Sequence, residues 1–226
     1  MNALKEQVDT LGIATIAARD ILPVDAVDAL RDFAVGFSQS ERVDQEAKKF
    51  AEGGQRNTVK QWMVKYQEKQ EFTRDHPLYR AGTLLLSHVR NLLGPCRYVS
   101  ADLWYALPGA EQRGREWSQN WHRDPEGPTL IKAMLFINDV DEESGPFEFV
   151  PESHLKYFDI CPAGHYTNAM IPQENVLTVL CPAETLAFVN TSGLHRGGAT
   201  RSKPRLSATW TYVPANNPMS PKFSVN

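Results

Sequence analysis

Residues 120–138 read Asn-Trp-His-Arg-Asp-Pro-Glu-Gly-Pro-Thr-Leu-Ile-Lys-Ala-Met-Leu-Phe-Ile-Asn. Alternate side chains of an extended chain share a face, so His122 and Asp124 stand together while Arg123 points away. Gly127-Pro128 then breaks the chain. Leu130–Asn138 follows as an apolar run of strand length. The stretch therefore predicts β-structure that carries an imidazole and a carboxylate side by side. One His, one Asp and a distant second His make a facial triad suited to non-haem Fe(II), with positions left open for substrate and oxygen.

The second imidazole is His195, within Asn-Thr-Ser-Gly-Leu-His-Arg-Gly-Gly at 190–198. Its glycine neighbours allow a sharp turn and close backbone approach at a strand end. Further on, Arg205 stands in Pro-Arg-Leu-Ser. Arg205, Ser207 and Thr209 share one face of the last predicted strand, and Leu206, Ala208 and Trp210 share the other. A buried cation beside a hydroxyl calls for an anion, and the guanidinium fork matches a carboxylate.

Outward from this centre, strands are expected at Arg97–Leu107, Trp117–His122, Pro146–Val150, Val176–Leu180, Thr185–Asn190 and Arg205–Val213, with an edge strand at Gly12–Ile16. Helices are expected from Pro23, where Val24, Val27, Leu30 and Ala34 recur at helical spacing, and over Leu78–Leu93, stopped by Gly94-Pro95. Many short strands with Gly/Pro turns indicate a double-stranded β-helix, a jelly roll of the cupin kind. Helices lead and strands follow, which is α+β ordering with the helices buttressing one sheet. The chain reads as a single domain over 1–226, mainly helical over 1–94 and jelly roll over 95–226. The mixed-charge stretch Ser40–Asp75 is read as a solvated face at Lys60, Lys65 and Lys69. The functional alternative is a mobile lid, shared with the 110–118 loop.

At 226 residues, 42% hydrophobic and 23% charged, the composition is that of a soluble globular protein. The net charge of −3 carries no basic stripe, which argues against nucleic acid as partner. No apolar run reaches membrane-spanning length and no signal-peptide pattern opens the chain. Cys96, Cys161 and Cys181 are odd in number and form no C-x-x-C, so they are read as reduced thiols of a cytoplasmic protein.

From Trp121 to Val213 the sequence resembles the phytanoyl-CoA dioxygenase-like family of Fe(II)/2-oxoglutarate-dependent oxygenases. Trp-His-Arg-Asp at 121–124, Ser-Gly-Pro-Phe-Glu-Phe-Val-Pro-Glu-Ser-His at 144–154, His195, and Arg205 with Ser207 carry the resemblance. The Gly12–Ile16 strand and the helix from Pro23 are also similar to that family's opening. The resemblance implies that His122, Asp124 and His195 bind iron. It also implies that Arg205 holds the distal carboxylate of 2-oxoglutarate, with Ser207 assisting. The implied reaction consumes O2, releases succinate and CO2, and hydroxylates or otherwise oxidises a C–H bond of a small molecule. Glu152 departs from the family pattern, which commonly has Gly in that turn; the departure bears on the loop's backbone and not on the chemistry.

Tyr105 and Asn120 are the further candidates for contact with cofactor or substrate, Asn120 sharing the face of His122. His154 is read as a hydrogen-bonded structural residue, His88 as packing, His76 and His165 as solvated, and Trp121 and Trp117 as packing. Arg113, Arg115 and Arg123 are read as solvated, with contact to an acidic substrate as the alternative. Two other enzyme readings stand beside the oxygenase. One is a cupin-type isomerase or cosubstrate-free dioxygenase, which needs no carboxylate clamp such as Arg205. The other is a demethylase of nucleic acid or protein, disfavoured by the charge. A non-catalytic binding jelly roll would have no use for an intact triad.

Overall fold

The structure, a computed structural model, describes residues 2–53, 62–67, 69–156 and 166–226. Helix α1 (Asn2–Leu11) turns at Gly12 into strand β1 (Ile13–Ala17). Pro23 precedes α2 (Val24–Ser38), which buries Ala26, Val27, Leu30, Ala34 and Phe37. Val24 stays exposed, one step outside that stripe. Ser40 caps α3 (Glu41–Ala51) by accepting a hydrogen bond from Val43 N. Acidic residues open α3 and lysines close it, as the helix dipole favours. Part of the stretch expected as a solvated face or lid is therefore a capped helix.

Strands β2 (Met63–Lys65) and β3 (Gln70–Phe72) follow, then α4 (Pro77–Leu93), closed by Gly94 at φ +77°. His76, expected in solvent, caps α4 by accepting from Leu78 N and packs against Phe33, Tyr66 and Phe72. The strands of the second half are β4 (Cys96–Ala106), β5 (Ile131–Phe136), β6 (Phe147–Phe149), β7 (Leu177–Val179), β8 (Thr185–Val189), β9 (His195–Gly197), β10 (Arg205–Pro214) and β11 (Phe223–Val225).

A six-stranded antiparallel sheet has the order β1-β8-β5-β10-β4-β2, with β1 on its edge as the sequence suggests. A three-stranded antiparallel sheet has the order β7-β6-β9, and β3 pairs in parallel with β11. The chain is thus a mixture of helices and antiparallel sheets. Strand alternation divides β10 into two faces. Leu206, Ala208, Trp210 and Tyr212 enter the main core with residues of α2 and α4. Trp210 Nε1 donates to Leu78 O at 2.7 Å and Tyr212 Oη to Gly82 O at 2.6 Å, fastening α4 to the sheet. Gly82 leaves room for this contact, since a Cβ there would lie 2.5 Å from Trp210. A second core joins Met134, Phe136, Ala187 and Val189 of the large sheet to Phe147, Phe149 and Val179 of the small one. Among the described residues no helix is long and apolar enough to cross a membrane.

One strand expectation needs correction. Trp117–Gln119 is a turn of 3-10 helix, drawn in by a capping box between Glu116 and Gln119. Trp121 and His122 then make only isolated bridges, to Tyr166 and His195. Lys60, Cys161 and His165 lie outside the described residues.

Candidate active site

The backbones of His122 and His195 bond reciprocally, each N–H to the other's carbonyl at 3.0 Å. The next link, Asp124 N to Thr191 O at 3.0 Å, keeps the two segments side by side. The pairing brings the two rings to a centroid separation of 4.2 Å. One ligand atom each from His122, Asp124 and His195 lies within 4.8 Å of the others, so these three residues could hold a metal ion.

Both rings are oriented by the main chain. Nδ1 of His122 lies 2.8 Å from Asn120 O, and Nδ1 of His195 lies 2.9 Å from Gly193 O. A carbonyl accepts only from a protonated Nδ1, which puts the lone pair a metal would take on each Nε2. Burial drives the His195 imidazole down to about 3, with repulsion from His122 adding to the effect. That ring is therefore neutral at physiological pH, as ligation requires.

Burial alone would raise the Asp124 carboxyl. Lys132 and the two imidazoles together outweigh it and hold the group well below its ordinary range. Lys132 Nζ stands 2.6 Å from Asp124 Oδ2. Burial opposes the charge on Lys132, but Asp124, Glu126 and Asp102 keep its ammonium above the usual value. The sequence reading passed over Lys132. The signal was present, as a single lysine inside the apolar run 130–137, one strand beyond the acid.

The turn leading into His195 is braced by the Ser-Gly-Pro-Phe-Glu-Phe-Val-Pro-Glu-Ser-His stretch. Ser153 Oγ accepts from Leu194 N at 2.7 Å, and Arg123 donates to the carbonyls of both Ser153 and Ser192. Arg123, expected in solvent, is thus a buried strut. Glu152 adopts φ +63°, a left-handed conformation that suits glycine. Gly145 and Gly198 meet backbone to backbone, where a Cβ on Gly145 would lie 2.6 Å from Gly198 O. Trp121 is buried, with Nε1 3.1 Å from Asn168 Oδ1 and the Arg196 guanidinium over its ring at 4.4 Å. Trp117 is instead 56% exposed and borders the cavity. His154 lies 3.1 Å from Asp9 O, apart from the three ligands.

A cavity of about 480 Å³ adjoins the triad. Arg205, Ser207, Thr209 and Thr211 line it from β10, so the face inferred from alternation points inward. Arg205 is buried, and desolvation lowers its guanidinium to about 10. It donates to Ser144 O at 3.3 Å, and among the described residues no carboxylate pairs with it. The carboxylates of the cavity all have lysines, in Lys65–Asp102, Lys132–Asp124 and Lys222–Glu126. Lys65, expected on a solvated face, therefore belongs to the cavity wall, while Lys69 is exposed.

Tyr105 and Asn120 are not brought to the cavity. Trp104 and Ala106 line it from β4, whereas Tyr105 is half-buried against the main core and does not line the cavity. Asn120 turns its amide toward Arg115 O at 3.4 Å and serves His122 through its carbonyl. Arg113 packs on the Phe50 ring, and Arg115 donates to Gln119 O at 3.2 Å.

The sequence matches the phytanoyl-CoA dioxygenase (PhyH) family over residues 15–206. The chain belongs to that family. No curated protein sequence matches it. Among solved structures, this PhyH-family chain is similar to the epimerase SnoN in complex with Fe3+, alpha ketoglutarate and nogalamycin RO. The TM-score is 0.62 at 17% identity, covering 98% of this chain and 86% of SnoN. It is similar to the non-heme alpha ketoglutarate dependent carbocyclase SnoK from nogalamycin biosynthesis, with a TM-score of 0.64 at 19% identity, covering 95% and 84%. It is also similar to EctD from S. alaskensis with 2-oxoglutarate and 5-hydroxyectoine, with a TM-score of 0.65 at 19% identity, covering 96% and 77%. At these identities the likeness is one of fold.

Proposed function

We propose that this chain is an Fe(II)/2-oxoglutarate-dependent dioxygenase that hydroxylates a C–H bond of a small molecule. One observation carries the reading: a buried arginine that pairs with no carboxylate among the described residues shares a cavity with a His-Asp-His ligand set. Membership of the PhyH family supports it, as do neighbours solved with Fe3+ and alpha ketoglutarate or with 2-oxoglutarate. On this reading the two sheets form a double-stranded β-helix within a single domain. The free thiols of Cys96 and Cys181 suit a cytoplasmic setting.

The donor set fits iron. Two imidazoles and one carboxylate form the facial arrangement that leaves positions open for other ligands. Bound there, iron and 2-oxoglutarate supply the oxidising power for C–H oxidation, with release of succinate and CO2. Arg205 pairs with the distal carboxylate of 2-oxoglutarate, and Ser207 adds a hydroxyl on the same side. The carbonyls of Asn120 and Gly193 fix the imidazoles. Phe136, Met134 and Phe147 restrict water around the reacting centre. Asp124 occupies the position that a smaller residue would open to halide, which favours hydroxylation. An epimerase and a carbocyclase among the neighbours keep ring closure and related oxidations within the same chemistry.

The test is anaerobic reconstitution with Fe(II), followed by a succinate assay in air against a metabolite panel. The reading expects succinate formation that depends on Fe(II) and 2-oxoglutarate. Turnover with Zn(II) and without 2-oxoglutarate overturns it in favour of a cupin-type isomerase.

A further inference from the structure

We propose that the end of the cavity away from Arg205 receives a zwitterionic small molecule, one compound bearing both an ammonium and an acid group. The inference rests on the oxygenase reading and names its substrate class. The cavity changes character along β10. Ser207 is flanked by Trp104 and Phe136, whereas Thr209 lies beside Asp102, and Thr211 lies between Ser100 and Lys132. At about 3.3 Å per residue, the six steps from Arg205 to Thr211 cover roughly 20 Å, so the far end is separate from the Arg205 end.

That far end alternates in charge. Lys65 Nζ stands 2.5 Å from Asp102, to which Gln70 Nε2 also donates at 3.1 Å. Lys222 stands 3.5 Å from Glu126 Oε1, while Glu126 Oε2 is buried without a hydrogen-bond partner among the described residues. Lys132 lies among them, within the fields of Asp102 and Glu126. A buried carboxylate oxygen with no donor is costly, and an incoming ammonium satisfies it with a charge-assisted bond. The ammoniums of Lys65 and Lys132 are paired with Asp102 and Asp124 but each carries three N–H donors, and those left over can serve an acid group. An acyl chain entering here would strip water from these charges and return nothing. A neutral polyol would satisfy hydrogen bonds but bring no positive charge to Glu126 Oε2.

The experiment titrates the Fe(II)- and 2-oxoglutarate-loaded protein calorimetrically without O2. Four mixtures serve as probes: the common L-amino acids with glycine betaine, simple alkylamines, neutral polyols, and short-chain acyl-CoA thioesters. The proposal expects binding from the zwitterion mixture ahead of the others. Glu126→Gln and Asp102→Asn each weaken that binding by about ten- to a hundredfold, while 2-oxoglutarate affinity stays within about twofold. Because Asp102 also ties down Gln70, Glu126→Gln keeps the test open if Asp102→Asn fails to fold. Preferential binding of polyols or acyl thioesters, absence of zwitterion binding, or indifference of Glu126→Gln overturns the proposal. The 2-oxoglutarate titration is read first. If the unsubstituted protein does not bind 2-oxoglutarate, the oxygenase reading falls; if it does and zwitterions do not bind, only the substrate class falls.

Discussion

Lys132 Nζ lies 2.6 Å from Asp124 Oδ2, so the triad's acid meets its counter-ion across the cavity from β5. The pair holds a buried carboxylate ionised, with Oδ2 3.6 Å from His195 Nε2.

Removing one partner of a buried ion pair costs about 3–5 kcal/mol, because the remaining charge is stranded. Lys132→Met is therefore expected to destabilise the metal-free protein by about 3 kcal/mol in urea unfolding. A divalent ion supplies a substitute counter-charge, so added metal restores more stability to the variant than to the parent. Equal destabilisation with and without metal contradicts this.

The His195 imidazole titrates near 3 in the folded protein and near the ordinary 6.5 when unfolded. Between these values the unfolded chain binds the extra proton, so stability is present above about pH 6.5 and is lost as pH falls. Down to about pH 5 Asp124 is ionised both folded and unfolded and adds little slope. Metal-free protein should lose up to about 1.4 kcal/mol per pH unit in that window. His195→Gln should lack this component when the two are compared by urea unfolding at several pH values.

Gly193 supplies the carbonyl that orients His195 and has no space for a side chain. A Cβ there would lie 2.6 Å from Phe149 Cζ and 2.8 Å from Ser153 Oγ. Gly193→Ala should displace that carbonyl and lower metal affinity by about ten- to a hundredfold, as loss of a partner behind a ligand does. Metal titration with circular dichroism to confirm folding checks it.

Glu152 holds a left-handed backbone at φ +63°. Such a conformation costs a non-glycine residue about 1–2 kcal/mol, partly offset in glycine by the freer unfolded chain. Glu152→Gly should stabilise the protein by about 0.5–1 kcal/mol without altering metal affinity. A loss of stability would mean that the Glu152 side chain contributes more than its backbone costs.

Much of this site was legible in the sequence because alternation is a strict rule for strands. It brought Arg205, Ser207 and Thr209 to one face, and the structure lines the cavity with that face. The same rule applied to Trp117–His122 gave a strand where a capped turn stands, since Glu116 and Gln119 bond locally before any sheet partner is reached. Asn120 was misplaced for the same reason. Tyr105 belongs to a real strand, but its neighbours Trp104 and Ala106 take the cavity side. Helix α3 went unread because its polar surface resembles a loop, and only Ser40 with the acidic first turn marked its start. Arg123 and Ser153 depend on contacts between segments distant in sequence, which no local pattern encodes.

The central claim is that Arg205 exists to pair with 2-oxoglutarate beside the metal. Binding of 2-oxoglutarate to Fe(II)-loaded protein without O2, compared between the parent and Arg205→Ala, tests it most directly. The account predicts equal iron content and an affinity for 2-oxoglutarate lowered by roughly two to four decades, from a loss of about 3–5 kcal/mol. Equal 2-oxoglutarate affinity in the two proteins would contradict it.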